Sequence, residues 1–365
     1  MAKYNPENER IKRRYFGWLK EARQCSEATV DATAKALSRF EEYNRHKSFH
    51  AFHTEQAVAF KRHLEGQKSQ RSEERLSKAT LRATLAQLRG FFFWLADQPG
   101  YKSRVKHTDA KYFSLSNKDE RIATAYTLRK VPTVEQVRHA INLMPHETEI
   151  ERRDRAIVAC TLATGARDGA IISLKLKHVD LDGRYVFQDP REVKTKFSKP
   201  ITTYFMPVGA EVIEIVETWV RFLREEKQWG NDDPLFPATR IALGETRQFE
   251  PCGLERSHWK TTAPIRTIFH AAFERAGLPY FHPHSLRHTL VGLGEKLCLT
   301  PEKWKAWSQN LGHENVRTTF DSYGAVSNDR QGEIIRGFAI PRARSRVEKE
   351  ALLRELLEEV RSEES

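Results

Sequence analysis

HPHSLRHT (residues 282–289) and LGHENVRTTFDSYG (residues 311–324) are the stretches on which the reading of this chain turns. The first sets His284 three residues before Arg287; the second holds His313 and Tyr323. A tyrosine hydroxyl can attack phosphorus, histidines can move or hold its proton, and an always-charged arginine neutralises phosphate. The set lacks a second cation and a proton donor for a leaving group, which the rest of the chain must supply.

Working outward, residues 285–297 and a run starting near Thr300 or Pro301 read as helices, as do 210–226 and 262–276. Asp182-Gly183 marks a turn between strand signals at 178–181 and 184–187. REVKTK (191–196) and ITTYFM (201–206) read as the arms of a second hairpin, tipped by 197–200. Residues 238–258 read as an irregular insert. Further upstream, Thr133-x-x-Gln136 fits a capping box ahead of Val134, Val137 and Ile141. Residues 156–163 are a mostly apolar helix that Gly165 ends, with Arg167 just past the break.

The first hundred residues have a different character. Ser26, Thr54 and Ser77 are candidate caps for helices carrying Leu37 and Phe40, Phe60 and Leu64, and Leu85, Leu88 and Phe92. Helical spacing makes the aromatic run 91–94 a core face rather than a base-stacking platform. Pro99-Gly100 stops the last of four helices, and the polar, aperiodic residues 101–131 read as a linker.

Net charge is +12, and residues 1–107 hold 22 Lys+Arg against 12 Asp+Glu, so +10 sits in the first third. Such an excess suits a polyanion, since each cation placed at a phosphate releases counterions. At 39% hydrophobic and 30% charged the chain suits globular domains with their own cores, and no run is long enough for a membrane helix. The first residues lack the apolar run of a secretory signal. Cys25, Cys160, Cys252 and Cys298 are scattered, which favours free thiols in a reducing cytoplasm. From Arg344 onward, seven Glu oppose five Lys+Arg, and Leu353, Leu356, Leu357 and Val360 form one helical stripe. That stripe needs a surface, on its own domain or on a neighbouring subunit.

Taken in order, Arg167, Lys194, His284, Arg287, His313 and Tyr323 give TGAR before a helix, a hairpin lysine, H-x-x-R, L-G-H and a following tyrosine. This ordered set, within residues 132–337, resembles the tyrosine recombinases (phage integrases). The resemblance implies a mainly α fold with a small antiparallel β-sheet (α+β). An N-terminal helical, SAM-like core-binding domain (1–100) and the 101–131 linker would precede a catalytic domain (132–341). The amphipathic helix at 342–365 would end the chain and could exchange between subunits. The domains would close on duplex DNA as a clamp, with basic residues of 1–107 holding the backbone. The resemblance also implies a protein tetramer on two recombination sites in the cytoplasm of a prokaryote, for integration or excision of a phage or mobile element.

The implied roles match the residue chemistry. Arg167 and Arg287 clamp the scissile phosphate, and Tyr323 attacks it to leave a 3′-phosphotyrosine. His284 accepts the tyrosine proton, His313 holds a phosphate oxygen, and Lys194 protonates the departing 5′ oxygen. The phosphotyrosine keeps the bond energy, so neither ATP nor any other cofactor is expected, and two arginines stand where other phosphoryl-transfer enzymes use metal. Lys196 is the alternative to Lys194, since strand alternation would put both on one face. Two departures stand out. The family's acidic residue three after the first arginine is replaced by Ala170, with Asp168 a substitute in orienting the site, and Tyr323 follows His313 by ten residues where nine is commoner. A type IB topoisomerase and an inactive DNA-binding protein of the same fold are the alternatives. His282, His284 and His288 make a poor zinc set without a carboxylate.

Overall fold

The computed structural model describes residues 4–68, 74–125, 130–195, 199–243 and 248–313. Two compact units divide it, 1–127 and 128–365.

In the first unit, α1 (Pro6–Glu21), α2 (Glu27–Tyr43), α3 (Thr54–Gly66) and α4 (Lys78–Leu95) carry the predicted apolar faces inward. Ser26 and Ser77 cap as expected, each accepting from a backbone N–H three residues on. Thr54 instead opens α3, with His53 at the cap position. Phe40 is fully buried and meets Phe60, Phe92 and Phe113 edge-on or nearly so at ring distances of 5.1, 5.5 and 5.6 Å. Of the run 91–94, Phe91 and Phe92 are core while Phe93 is exposed against His107.

The expected linker is largely not one. Tyr101, Val105, Ala110 and Phe113 are buried in the same core. The short α5 (His107–Ala110) and α6 (Asn117–Thr124) also belong to this unit. Their irregular spacing of apolar residues hid this, because one helical turn is too short to show a period.

The second unit is built on α8 (Glu149–Thr164), whose residues 156–164 are all buried. Around it lie α7 (Val134–Leu143), α10 (Ala210–Arg221, continued by a π-helical turn at Phe222–Glu226), α11 (Ala263–Arg275) and α12 (Ser285–Leu297). The Thr133–Gln136 capping box is present, each partner satisfying the other's backbone N–H. A four-residue helix, α9 (Asp168–Ile171), follows Arg167, and α13 (Pro301–Asn310) starts from a Thr300 cap.

A three-stranded antiparallel sheet in the order β1 (Val179–Asp180), β2 (Tyr185–Gln188), β3 (Ile201–Tyr204) lies against this core. Here the second expected hairpin is corrected. Its return arm, β3, pairs directly with β2. The described part of REVKTK is no strand, because Asp189 gathers the next residues into a turn: its carbonyl accepts from Glu192 and Val193 N–H, and its carboxylate from Arg191 N–H. Lys194 therefore sits on a turn and not on a strand face, and Lys196 lies outside the described residues.

The irregular insert is corrected too. Residues 237–258 form a bulged hairpin, β4 (Pro237–Leu243) with β5 (Phe249–His258). It is fastened to α8 by buried Arg153, which donates to Pro237 O and Thr239 Oγ1, and by Glu149 Oε1, which accepts Leu254 N–H. Bulges and outward-facing apolar residues (Ile241, Leu243, Phe249) erase the alternation that would have announced it.

Gly165 ends α8 at φ +61°, and a Cβ there would lie 2.9 Å from Leu290 Cδ1 and 3.0 Å from Leu311 Cδ2. Gly165→Ala should cost roughly 2 kcal/mol, by left-handed backbone strain plus overpacking. Urea denaturation would show it as a lower midpoint at unchanged slope, and an unshifted midpoint would refute the close packing.

Candidate active site

Five of the six sequence-predicted residues are described, and they come from segments that meet around residues 165–169. The sixth, Tyr323, lies outside the described residues, as does the 342–365 helix.

Arg287 is the third residue of α12 and is only 7% exposed. Its Nη1–H donates to Gly165 O at 2.8 Å, while Nη2 is buried with no hydrogen-bond partner among the described residues. Burial first, and then the charge of Arg167, push the guanidinium down to about 9. Arg167, half-buried at the mouth of α9, is itself shifted down by desolvation. Two cations are thus held near one another, one of them with a donor that meets no acceptor among the described residues. Such a pair is costly unless an anion completes it.

His284 immediately precedes α12, with its ring 5.4 Å from that of His288 and 6.3 Å from that of His282. Desolvation, then His288, Arg287, Arg167 and His282, push its pKa down to about 4. Since His284 still faces solvent, the cationic neighbours are the firmer part of that shift. The ring is neutral at pH 7 and able to take a proton. In an NMR titration of the DNA-free protein its midpoint should fall near 4; a midpoint near the ordinary 6.5 would contradict this electrostatic picture. The sign for stability follows. The fold prefers the neutral ring, so this contribution is complete above pH 6.5 and is lost as pH falls towards 4.

His313 is half-buried just past α13, where its N–H donates to Ser308 O at 3.1 Å. Gly312, at φ +67°, makes the turn, and Leu311 packs over Gly165. Lys194 is exposed, and its N–H donates to Ser173 Oγ at 2.9 Å. Its backbone passes over α9, since a Cβ at Gly169 would lie 3.8 Å from Lys194 O.

Ala170 is buried in the core. The Asp168 carboxylate is committed elsewhere: it accepts Gly169 N–H and pairs with Arg266 Nη2 at 3.2 Å. As a stand-in for the missing acid it orients α9 and Arg266, not Arg167 or Arg287. Sequence reading passed over Ser173, His178 and Glu192, which fix the Lys194 segment. Nothing in their local pattern marks them, because each is recruited by a contact well over ten residues away.

Residues 131–330 match the phage integrase family, and residues 13–99 match its N-terminal SAM-like domain. The chain belongs to the phage integrase family. Members of this family, the tyrosine recombinases, cleave and rejoin DNA, and the chain is a site-specific DNA recombinase of that kind. Tyrosine recombinase XerC of Pseudomonas putida (strain W619) is 25% identical over 308 residues, spanning 84% of this chain and 88% of that relative. Among solved structures, a lambda integrase dimer bound to a COC′ core site matches with a TM-score of 0.58 at 16% identity, covering 92% of this chain and 80% of that one. XerH recombinase bound to palindromic difH matches with a TM-score of 0.57 at 20% identity, covering 87% and 81%. These likenesses agree with the mainly helical fold and its small antiparallel sheets. Among the described residues of this recombinase, no helix is long and apolar enough to cross a membrane.

Proposed function

We propose that the enzyme breaks and rejoins DNA through a 3′-phosphotyrosine on Tyr323, to integrate or excise a phage or mobile element. The observation that carries this reading is the buried, unpartnered Nη2 of Arg287 beside Arg167. A scissile phosphate between the two guanidiniums supplies the missing acceptor and relieves their repulsion.

In the proposed step the Tyr323 oxygen bonds to phosphorus and the bond from phosphorus to the 5′ oxygen breaks. His284, neutral at pH 7, takes the tyrosine proton, and the Lys194 ammonium gives one to the departing oxygen. His313 donates to a non-bridging oxygen. Joining runs the same events in reverse with a new 5′ hydroxyl, so no ATP enters. We assign DNA grasping to the basic helical unit, residues 1–127, and catalysis to the domain at 132–341. The acidic 342–365 helix would pack on a neighbouring subunit of a tetramer.

Covalent capture from a pool of nicked random-sequence duplexes tests the reading. Denaturant-resistant adducts should converge on one site, resist digestion from the 3′ end, and lead to joining of two different duplexes. Plasmid relaxation without such joining would make the enzyme a topoisomerase. Specific binding without any adduct would make it a DNA-binding protein.

A further inference from the structure

The chain leading into Lys194 is fixed at two points, and the fixing groups have no other assignment. Past Gln188, the Asp189 turn delivers Glu192 to a cluster of donors. Glu192 Oε1 meets the ammoniums of Lys177 at 2.9 Å and Lys175 at 3.1 Å, and Oε2 meets His178 Nε2 at 3.0 Å. The His178 ring is 4% exposed, and its Nδ1 accepts Lys175 N–H at 3.0 Å. The ring proton is therefore on Nε2, which donates to Glu192. Asp232 Oδ1 bridges the same two lysines at 2.8 and 3.2 Å.

One exposed ion pair contributes little. A carboxylate held by three donors, one of them on a buried ring, is a fixed point on the surface of the core. Lys177 and Lys175, and then His178, hold the Glu192 carboxyl down to about 2, so it stays ionised at any working pH. Val193 follows, 2% exposed, and Lys194 N–H is tied to Ser173 Oγ. Ser173 Oγ in turn bonds the carbonyls of Gly169 and Ala170 in α9, the helix that Arg167 begins. The turn is thus pinned at Glu192 to the loop before β1 and at the Lys194 N–H to the Ser173 hydroxyl beside α9.

We propose that Glu192 is a positioning residue: anchored on Lys175, Lys177 and His178, it sets where the Lys194 ammonium meets the departing 5′ oxygen. This rests on Lys194 being the proton donor, and the test separates the two claims. The full-length enzyme is given its captured site in two forms, an ordinary phosphodiester and one with sulfur in place of the bridging 5′ oxygen. A thiol has a pKa near ~8.5, far below an alcohol, so sulfur departs without a proton and a defect confined to proton donation disappears.

Glu192→Gln should slow cleavage of the ordinary site roughly ten- to a hundredfold, as a displaced catalytic group does. Its KM and melting temperature should hold, and cleavage of the sulfur site should return to near the parent rate. Lys194→Ala should be rescued in the same way. If Lys194→Ala is not rescued, Lys194 is not the acid. If it is rescued while Glu192→Gln is either fully active on the ordinary site or equally slow on both, the positioning role is overturned.

Discussion

Arg287→Met is expected to lower DNA cleavage by about 10³-fold or more, the scale on which phosphate-stabilising arginines act. It should do so with little loss of fold stability. The side chain is nearly enclosed, its Nη2 has no partner, and its guanidinium is pushed down to about 9. A shift of that size is a penalty of several kcal/mol on the charged form. Methionine removes the penalty and fills similar volume, but forfeits the bond to Gly165 O, a loss of about 1.5–3 kcal/mol. The penalty removed is at least as large as the bond lost, so the melting temperature should stay level or rise while activity disappears. Arg287→Lys tests geometry separately, because a point charge cannot bond Gly165 O and a phosphate as a fork does. Near-parent cleavage by Arg287→Met would remove Arg287 from the phosphate site, and near-parent cleavage by Arg287→Lys would show that charge suffices without the fork.

Tyr323→Phe should abolish the covalent adduct entirely while leaving binding to the captured site within about threefold, since one hydroxyl contributes little to a phosphate-dominated interface. Activity carried by a different nucleophile would survive this change and would overturn the assignment. Arg287→Met and Tyr323→Phe should also differ in binding. Only the arginine variant loses a cation from the interface, so only it should show a shallower salt dependence of affinity.

How much of this was legible in the sequence depended on how local each signal is. The Thr133–Gln136 box, the Gly165 stop and the apolar half of α8 follow from a few neighbouring residues, while the polar first half of α8, from Glu149, carries no such stripe. The turn at 189–193 differs from the expected strand arm although Asp189-Pro190 announces it, because the Asp189 carbonyl and carboxylate gather the residues after it. The 237–258 hairpin is held by Arg153 and Glu149, some eighty residues or more away in sequence, so no local pattern could mark it. Within the site, the order of candidate residue types is a sequence-level signal, and the five described ones lie on segments that meet near Gly165. The electrostatic state of His284 and the carboxylate anchor beneath Lys194 were not, since both arise only when distant segments meet.

The end of α13 has a mechanical consequence. The Asn310 side chain accepts from Tyr204 N–H at 2.7 Å and donates to Tyr204 O at 2.9 Å, while Asn310 O accepts from Thr203 Oγ1 at 3.1 Å. A single carboxamide thus completes the outer edge of β3 as a further strand would, which also protects that edge from pairing with another chain. Three residues on is His313, and at the other end of β3 begins the segment that leads back to Lys194. Asn310 therefore ties the last turn of α13 to the end of β3, so the turn that carries His313 is held to the sheet and does not move on its own.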